Sequence, residues 1–122
     1  MITDQFNSKG ELVFEISLVA ADKDQLLVNA VLDTGFTGWL ALDTQDAESL
    51  GWLLNTQEQR KMNTAWGEAD FDIYEGKIHL DDEEFTIEIL AGNQFEDILL
   101  GVYWLQIKPL IANFPGGVLT LG

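Results

Sequence analysis

One carboxylate carries most of the chemistry this sequence offers. The run Ala30-Val31-Leu32-Asp33-Thr34-Gly35-Phe36-Thr37-Gly38-Trp39-Leu40-Ala41-Leu42 delivers Asp33 into an Asp-Thr-Gly turn between two apolar segments. A lone surface carboxylate is ionised and inert near neutral pH. Two carboxyls held against each other cannot both ionise, so they share one proton, and the pair can act as acid and base at once. Gly35 suits a tight turn that another loop can approach closely. Thr34 brings a hydroxyl able to bond such a loop, and Val31, Leu32, Trp39 and Leu40 would hold the turn rigid and dry.

Other reactive groups are few. The chain has no cysteine and one histidine, which removes disulfides, thiolate nucleophiles and His/Cys zinc sites. His79 lies between Ile78 and Leu80 and reads as an outward strand residue. Ser8, Ser17 and Ser49 lack the setting of a nucleophile elbow. Asp81-Asp82-Glu83-Glu84 lacks the alternating ligand spacing and turn glycine of a calcium loop, and reads as a solvated charge run. No metal or cofactor is therefore expected. The net charge of −15, from 21 Asp+Glu against 6 Lys+Arg, disfavours nucleic acid and anionic membrane as partners. No stretch resembles a secretory leader or a membrane span, and the missing cysteines fit a cytoplasmic protein.

The elements that must position Asp33 follow from periodicity. A chain that is 47% hydrophobic and 22% charged suits one globular domain over residues 1–122, with 1–10 as a flexible lead-in. Leu12, Phe14, Ile16 and Leu18 alternate with polar residues, predicting a strand with one buried face. Leu26 to Leu32 is nearly all apolar and predicts a strand buried on both faces, ending at Asp33. Trp39 to Leu42 follows as a third strand. Asp43 is placed as the N-cap of a helix over Thr44 to Leu50, with Gly51 just past its end. Asn55 to Gln59 reads as a polar loop, Trp66-Gly67-Glu68 as a hairpin tip, and Glu75-Gly76 as a bulge. Phe85 to Leu90, Ile98 to Gly101, Lys108 to Phe114 and Val118 to Leu121 supply further strands, with one helical turn at Val102 to Gln106. The fold class is all-β, a small closed barrel or sandwich.

Three features together resemble the single-domain, retropepsin-like aspartic proteases, in particular the bacterial ones. The first is Asp33-Thr34-Gly35 followed by a strand and a short helix ending in Leu50-Gly51. The second is Leu99-Leu100-Gly101, similar to the apolar-apolar-Gly segment that threads beside the catalytic loop. The third is the hairpin with Trp66 and Gly67 at its tip, where the family has its substrate-covering flap. The resemblance spans roughly residues 11 to 121. It implies an acid-protease-type β-barrel with one or two short helices, acting as a homodimeric aspartic-type endopeptidase on a polypeptide substrate without metal. It makes Asp33 the catalytic residue, Thr34 and Gly35 the support of its loop, and a second copy the source of the other carboxylate. The sequence departs from viral members at Phe36, where they carry Ala, and at Thr37-Gly38, where they carry an acidic pair. The alternative is a catalytically inactive retropepsin-like fold serving as a peptide-binding or dimerisation module.

Overall fold

The alternating run after Gly10 becomes a strand, and most of the molecule is built the same way. The computed structural model describes residues 1–64, 67–93 and 95–122. Its strands are β1 (Ile2–Phe6), β2 (Leu12–Val19), β3 (Gln25–Leu32), β4 (Leu40–Asp43), β5 (Leu53–Thr64), β6 (Gly67–Leu80), β7 (Glu83–Gly92), β8 (Ile98–Leu100), β9 (Leu110–Asn113) and β10 (Val118–Leu121). One short helix, α1 (Thr44–Ser49), follows β4, and a 3-10 turn spans Val102–Gln106. Strands β2, β3, β8, β4, β7 and β6 pair in that order, and β6 pairs back with β2 to close a barrel. The fold is an all-β barrel. Beyond β2 the sheet continues through β1, β10 and β9; beyond β6 it continues to β5. Ile2–Phe6, read from sequence as part of a lead-in, is β1 and pairs with both β10 and β2.

The inward positions of β2 behave as their period requires. Phe14, Ile16 and Leu18 are 0–2% exposed and pack with Leu40, Leu42, Ile78, Ile89, Leu100 and Trp104. Each such side chain contributes about 2 kcal/mol by leaving water. Trp104 is fully buried; its Nε1–H donates to the Trp39 carbonyl at 2.7 Å, and its ring meets Trp39 and Phe85 edge-on. A second, smaller cluster gathers Phe36, Ala41, Phe71, Ile73 and Leu90.

Several local expectations change. Leu26 and Leu27 are exposed rather than buried, because β8 covers only Ala30 to Leu32 of β3 and leaves its first half paired with β2 alone. Asn55 to Gln59 is not a separate loop but lies within β5, where the register against β6 shifts between Asn55 and Gln59. Gly76 carries no bulge: β6 runs in unbroken register with β7 through Glu75 and Gly76. Glycine is needed there for space, since a Cβ would lie 2.6 Å from Ile89 and 2.9 Å from Trp52. Asp43 stands at the N-cap position, but its carboxylate makes no cap bond; Oδ1 accepts the Phe95 N–H at 2.9 Å instead. Gly51 ends α1 at φ +71°, as a residue past a helix end should.

The acidic run also divides. Asp81 and Asp82 form the turn between β6 and β7, both with left-handed backbone. The Asp81 side chain is not simply solvated. It bonds the Met1 amino group and faces Lys108, whose buried Nζ reaches Asp81 at 3.4 Å and Glu83 at 3.2 Å. The hydrogen bond from the Met1 amino group, followed by the charge and hydrogen bond of Lys108, lowers the Asp81 pKa. Bonding from His79, with help from Lys77, lowers that of Glu84. A carboxyl depressed in the folded state adds stability above its ordinary value and loses it as pH falls through the depressed one. Asp81→Asn is therefore expected to flatten the acid limb of the melting-temperature profile, measured by thermal unfolding between pH 7 and pH 2, and to leave the slope above the carboxylate range unchanged.

Candidate active site

Strand β3 ends at Leu32 and presents Asp33, Thr34 and Gly35 on the surface, while Phe36 turns inward to 7% exposure. The loop is stitched from behind. Strand β8 lies between β3 and β4, parallel to the first and antiparallel to the second. The Asp33 N–H donates to the Leu100 carbonyl at 2.9 Å. The Gly101 N–H donates to Trp39 at 3.0 Å, Val102 to Phe36 at 2.9 Å and Tyr103 to Gly38 at 3.3 Å. Leu99-Leu100-Gly101 thus braces the loop from behind, where the resemblance implies it.

Within the loop, the Gly35 N–H donates to Asp33 Oδ1 at 2.8 Å and the Phe36 N–H to the Asp33 carbonyl at 3.1 Å. These bonds fix the carboxylate on its own turn. Gly35 does not use a left-handed backbone. Its missing side chain matters for space: a Cβ would come within 3.2 Å of Asp33 Oδ1. Thr34 is exposed beside it.

Asp33 stands between two hollows. One, of about 280 Å³, is apolar apart from Asp33 itself and Asn63; Phe36, Phe71, Phe95, Leu90, Leu99 and Met62 supply most of its wall. The other, of about 360 Å³, is lined by Glu11, Leu12, Val31, Leu32, Thr34 and Leu99 together with Asp33. Met62 and Asn63 belong to β5, so the long β5–β6 hairpin reaches the same hollow as the aspartate. Gly67 is exposed at the start of β6 with φ +111°, and an added Cβ there would meet nothing within 4 Å. Trp66, expected beside it at the tip, lies outside the described residues.

Of the residues that line the apolar hollow, Asp33, Gly35, Phe36 and Leu99 stand out in the sequence; Met62, Asn63, Phe71, Leu90 and Phe95 were not singled out. Met62 carries a readable signal, as the single apolar residue in the polar stretch Asn55 to Thr64. Phe71 and Phe95 carry none, because their meeting depends on the β5–β6 and β6–β7 pairings and on the Asp43–Phe95 bond. Phe36 and Gly38 are matched to each other: a Cβ on Gly38 would lie 2.7 Å from the Phe36 ring. The large residue after Gly35 fits only because position 38 is bare.

No protein-family model and no curated protein matches the chain. Solved structures do. A retropepsin-like aspartic protease from Rickettsia conorii superposes with a TM-score of 0.68 over 98% of this chain and 88% of that one, at 20% identity. The chain has a retropepsin-like fold. EIAV protease complexed with the inhibitor HBY-793 gives a TM-score of 0.62 over 84% of this chain and 92% of that one, at 17% identity. At such identities the likeness speaks for the retropepsin-like fold alone. No helix among the described residues is long and apolar enough to cross a membrane.

Proposed function

We propose that the chain is one half of an aspartic-type endopeptidase that works as a homodimer on polypeptide substrates. The observation that carries the reading is Asp33 itself. Its exposed carboxylate is aimed by the Gly35 N–H, on a loop braced by Leu100 and Gly101, at the mouth of an apolar hollow. That the two solved structures described above are proteases supports it. A single copy holds only half of the chemistry. A two-fold axis beside the loop would set Asp33 against Asp33 of the second copy, with Thr34 from each chain bracing the other loop. The pair then shares one proton. The ionised carboxylate takes a proton from a water held between them, the water oxygen attacks the scissile carbonyl carbon, and the protonated carboxyl donates to the developing oxyanion. The carboxyl that took the water's proton passes it to the amide nitrogen, the C–N bond breaks, and a hydroxyl proton of the intermediate returns to the other carboxylate, releasing an acid and an amine.

The apolar hollow would receive one substrate side chain beside the scissile bond. A cavity of about 150 Å³ is enough to hold benzene, so 280 Å³ admits one large aliphatic or aromatic side chain. Phe36 fills part of that wall. Phe36→Ala is expected to lower stability by about 3 kcal/mol and to shift preference toward bulkier side chains, read as KM falling for a Trp-containing peptide relative to its Leu counterpart.

The reading is tested by peptide cleavage at mildly acid pH. Cleavage blocked by a statine-type inhibitor is the expected result. Peptide binding without turnover, equal in wild type and Asp33→Asn, would instead assign a binding module that has kept the fold.

A further inference from the structure

The two hollows that meet at Asp33 differ in character and have only Asp33 and Leu99 in common. The smaller is apolar apart from Asp33 and Asn63. The other, of about 360 Å³, holds a second carboxylate, Glu11, beside aliphatic walls from Leu12, Val31, Leu32 and Leu99. Glu11 is half-buried and held in place by one residue. The Asn7 Nδ2–H donates to Glu11 Oε1 at 2.8 Å, Asn7 Oδ1 accepts the Glu11 N–H at 2.9 Å, and the Asn7 N–H donates to the Glu11 carbonyl at 3.1 Å. Among the described residues, no lysine, arginine or histidine forms an ion pair with Glu11. Lys9, two residues earlier, is exposed and bonds Asn7 through its backbone N–H.

We propose that this hollow selects substrates with a lysine or arginine close to the cleaved bond, and that Glu11 is the residue that reads the charge. The inference rests on the endopeptidase reading and names the substrate class within it. Lysine and arginine lay an aliphatic stem along apolar surface and carry their charge at the tip. Leu12, Val31 and Leu99 offer that stem a wall, and Glu11 offers the tip a fixed carboxylate. A few placed polar groups in an otherwise apolar site are what set specificity, and here the placed group is an anion. The apolar hollow across Asp33 takes a neighbouring side chain of the same peptide, so the two hollows together demand a mixed apolar and basic segment. The whole chain works in the same direction. At a net charge of −15 it gathers cationic peptides and repels acidic ones. Asn7 acts through Glu11 and is a positioning residue.

The test uses paired fluorescent octapeptides of one apolar sequence. One of each pair carries Lys, the other norleucine, the same stem without the charge, and the position is walked along the peptide. The full chain is expected to cleave the Lys peptide about tenfold faster in kcat/KM at a position beside the cleaved bond, the size of one charge-assisted hydrogen bond. Glu11→Gln keeps an oxygen for Asn7 and is expected to cut that ratio below about twofold with the melting temperature unchanged. Glu11→Lys, in a chain that stays strongly acidic, should prefer Glu over Gln at the same position, which net charge alone would not produce. Glu48→Gln removes one exposed charge on α1 and should keep the wild-type ratio. No Lys preference at any position, or one that survives Glu11→Gln or falls equally in Glu48→Gln, would overturn the proposal. Binding of the same peptides to Asp33→Asn near neutral pH, read by fluorescence anisotropy, separates the two readings. A Lys preference in binding that is lost on adding Glu11→Gln, with no cleavage by the wild-type chain, supports this site and overturns the protease reading alone. Cleavage without a Lys preference overturns this inference and leaves the protease reading standing. Neither binding nor cleavage of any peptide overturns both.

Discussion

Asp33→Asn is expected to abolish the proposed peptide cleavage, lowering kcat/KM by at least about 10³-fold, within the reach of a general acid–base group. The substitution is nearly isosteric, and its amide oxygen can still accept the Gly35 N–H that now meets Oδ1 at 2.8 Å. The site is exposed, so unfolding free energy should stay within about 0.5 kcal/mol of wild type. What is lost is the group able to take a proton from water. Equal melting temperatures together with the collapse of turnover separate this outcome from a folding defect. Retention of more than a tenth of wild-type activity would show that the chemistry lies elsewhere.

The second large effect is structural. Gly101 crosses Gly38 so closely that an added Cβ would lie 1.9 Å from its carbonyl oxygen and 2.5 Å from its carbonyl carbon. Backbone, not a flexible side chain, stands in the way, and the same crossing carries the Gly101–Trp39 and Tyr103–Gly38 hydrogen bonds. Gly101→Ala must push the two segments apart, and the expected cost is about 3 kcal/mol or more in urea unfolding, at or above the top of the usual overpacking range. Gly38→Ala meets the Phe36 ring rather than backbone, so a smaller loss is expected. Because the Asp33 N–H hangs on the Leu100 carbonyl next to this crossing, Gly101→Ala should also cost cleavage activity at temperatures where the chain remains folded.

How far the sequence reaches can be seen from these residues. Asp33, Thr34 and Gly35 are consecutive, so the loop is legible without coordinates, whereas composition shows Leu99-Leu100-Gly101 only as a short apolar strand and its place behind the loop came from the family resemblance. The inward face of β2 is legible for a similar reason, since Phe14, Ile16 and Leu18 follow one period. The apolar hollow is not, because Phe36, Met62, Phe71, Leu90, Phe95 and Leu99 come from separate parts of the chain and meet only through long-range pairings. Exposure of Leu26 and Leu27 was hidden because apolar character does not say how far a neighbouring strand extends, and β8 is three residues long. The two jobs of acidic residues were hidden as well: Asp43 serves the Phe95 N–H and Asp81 serves Lys108, partners 52 and 27 positions away.

The claim on which function turns is that one Asp33 must come from each of two chains. Wild-type and Asp33→Asn chains, mixed in equal amounts at fixed total concentration well above the dimer dissociation constant and allowed to exchange, test it most directly. A site shared between two copies leaves about a quarter of the all-wild-type activity, because only dimers with both carboxylates work. A value near one half would mean that each chain acts alone, and would contradict the account.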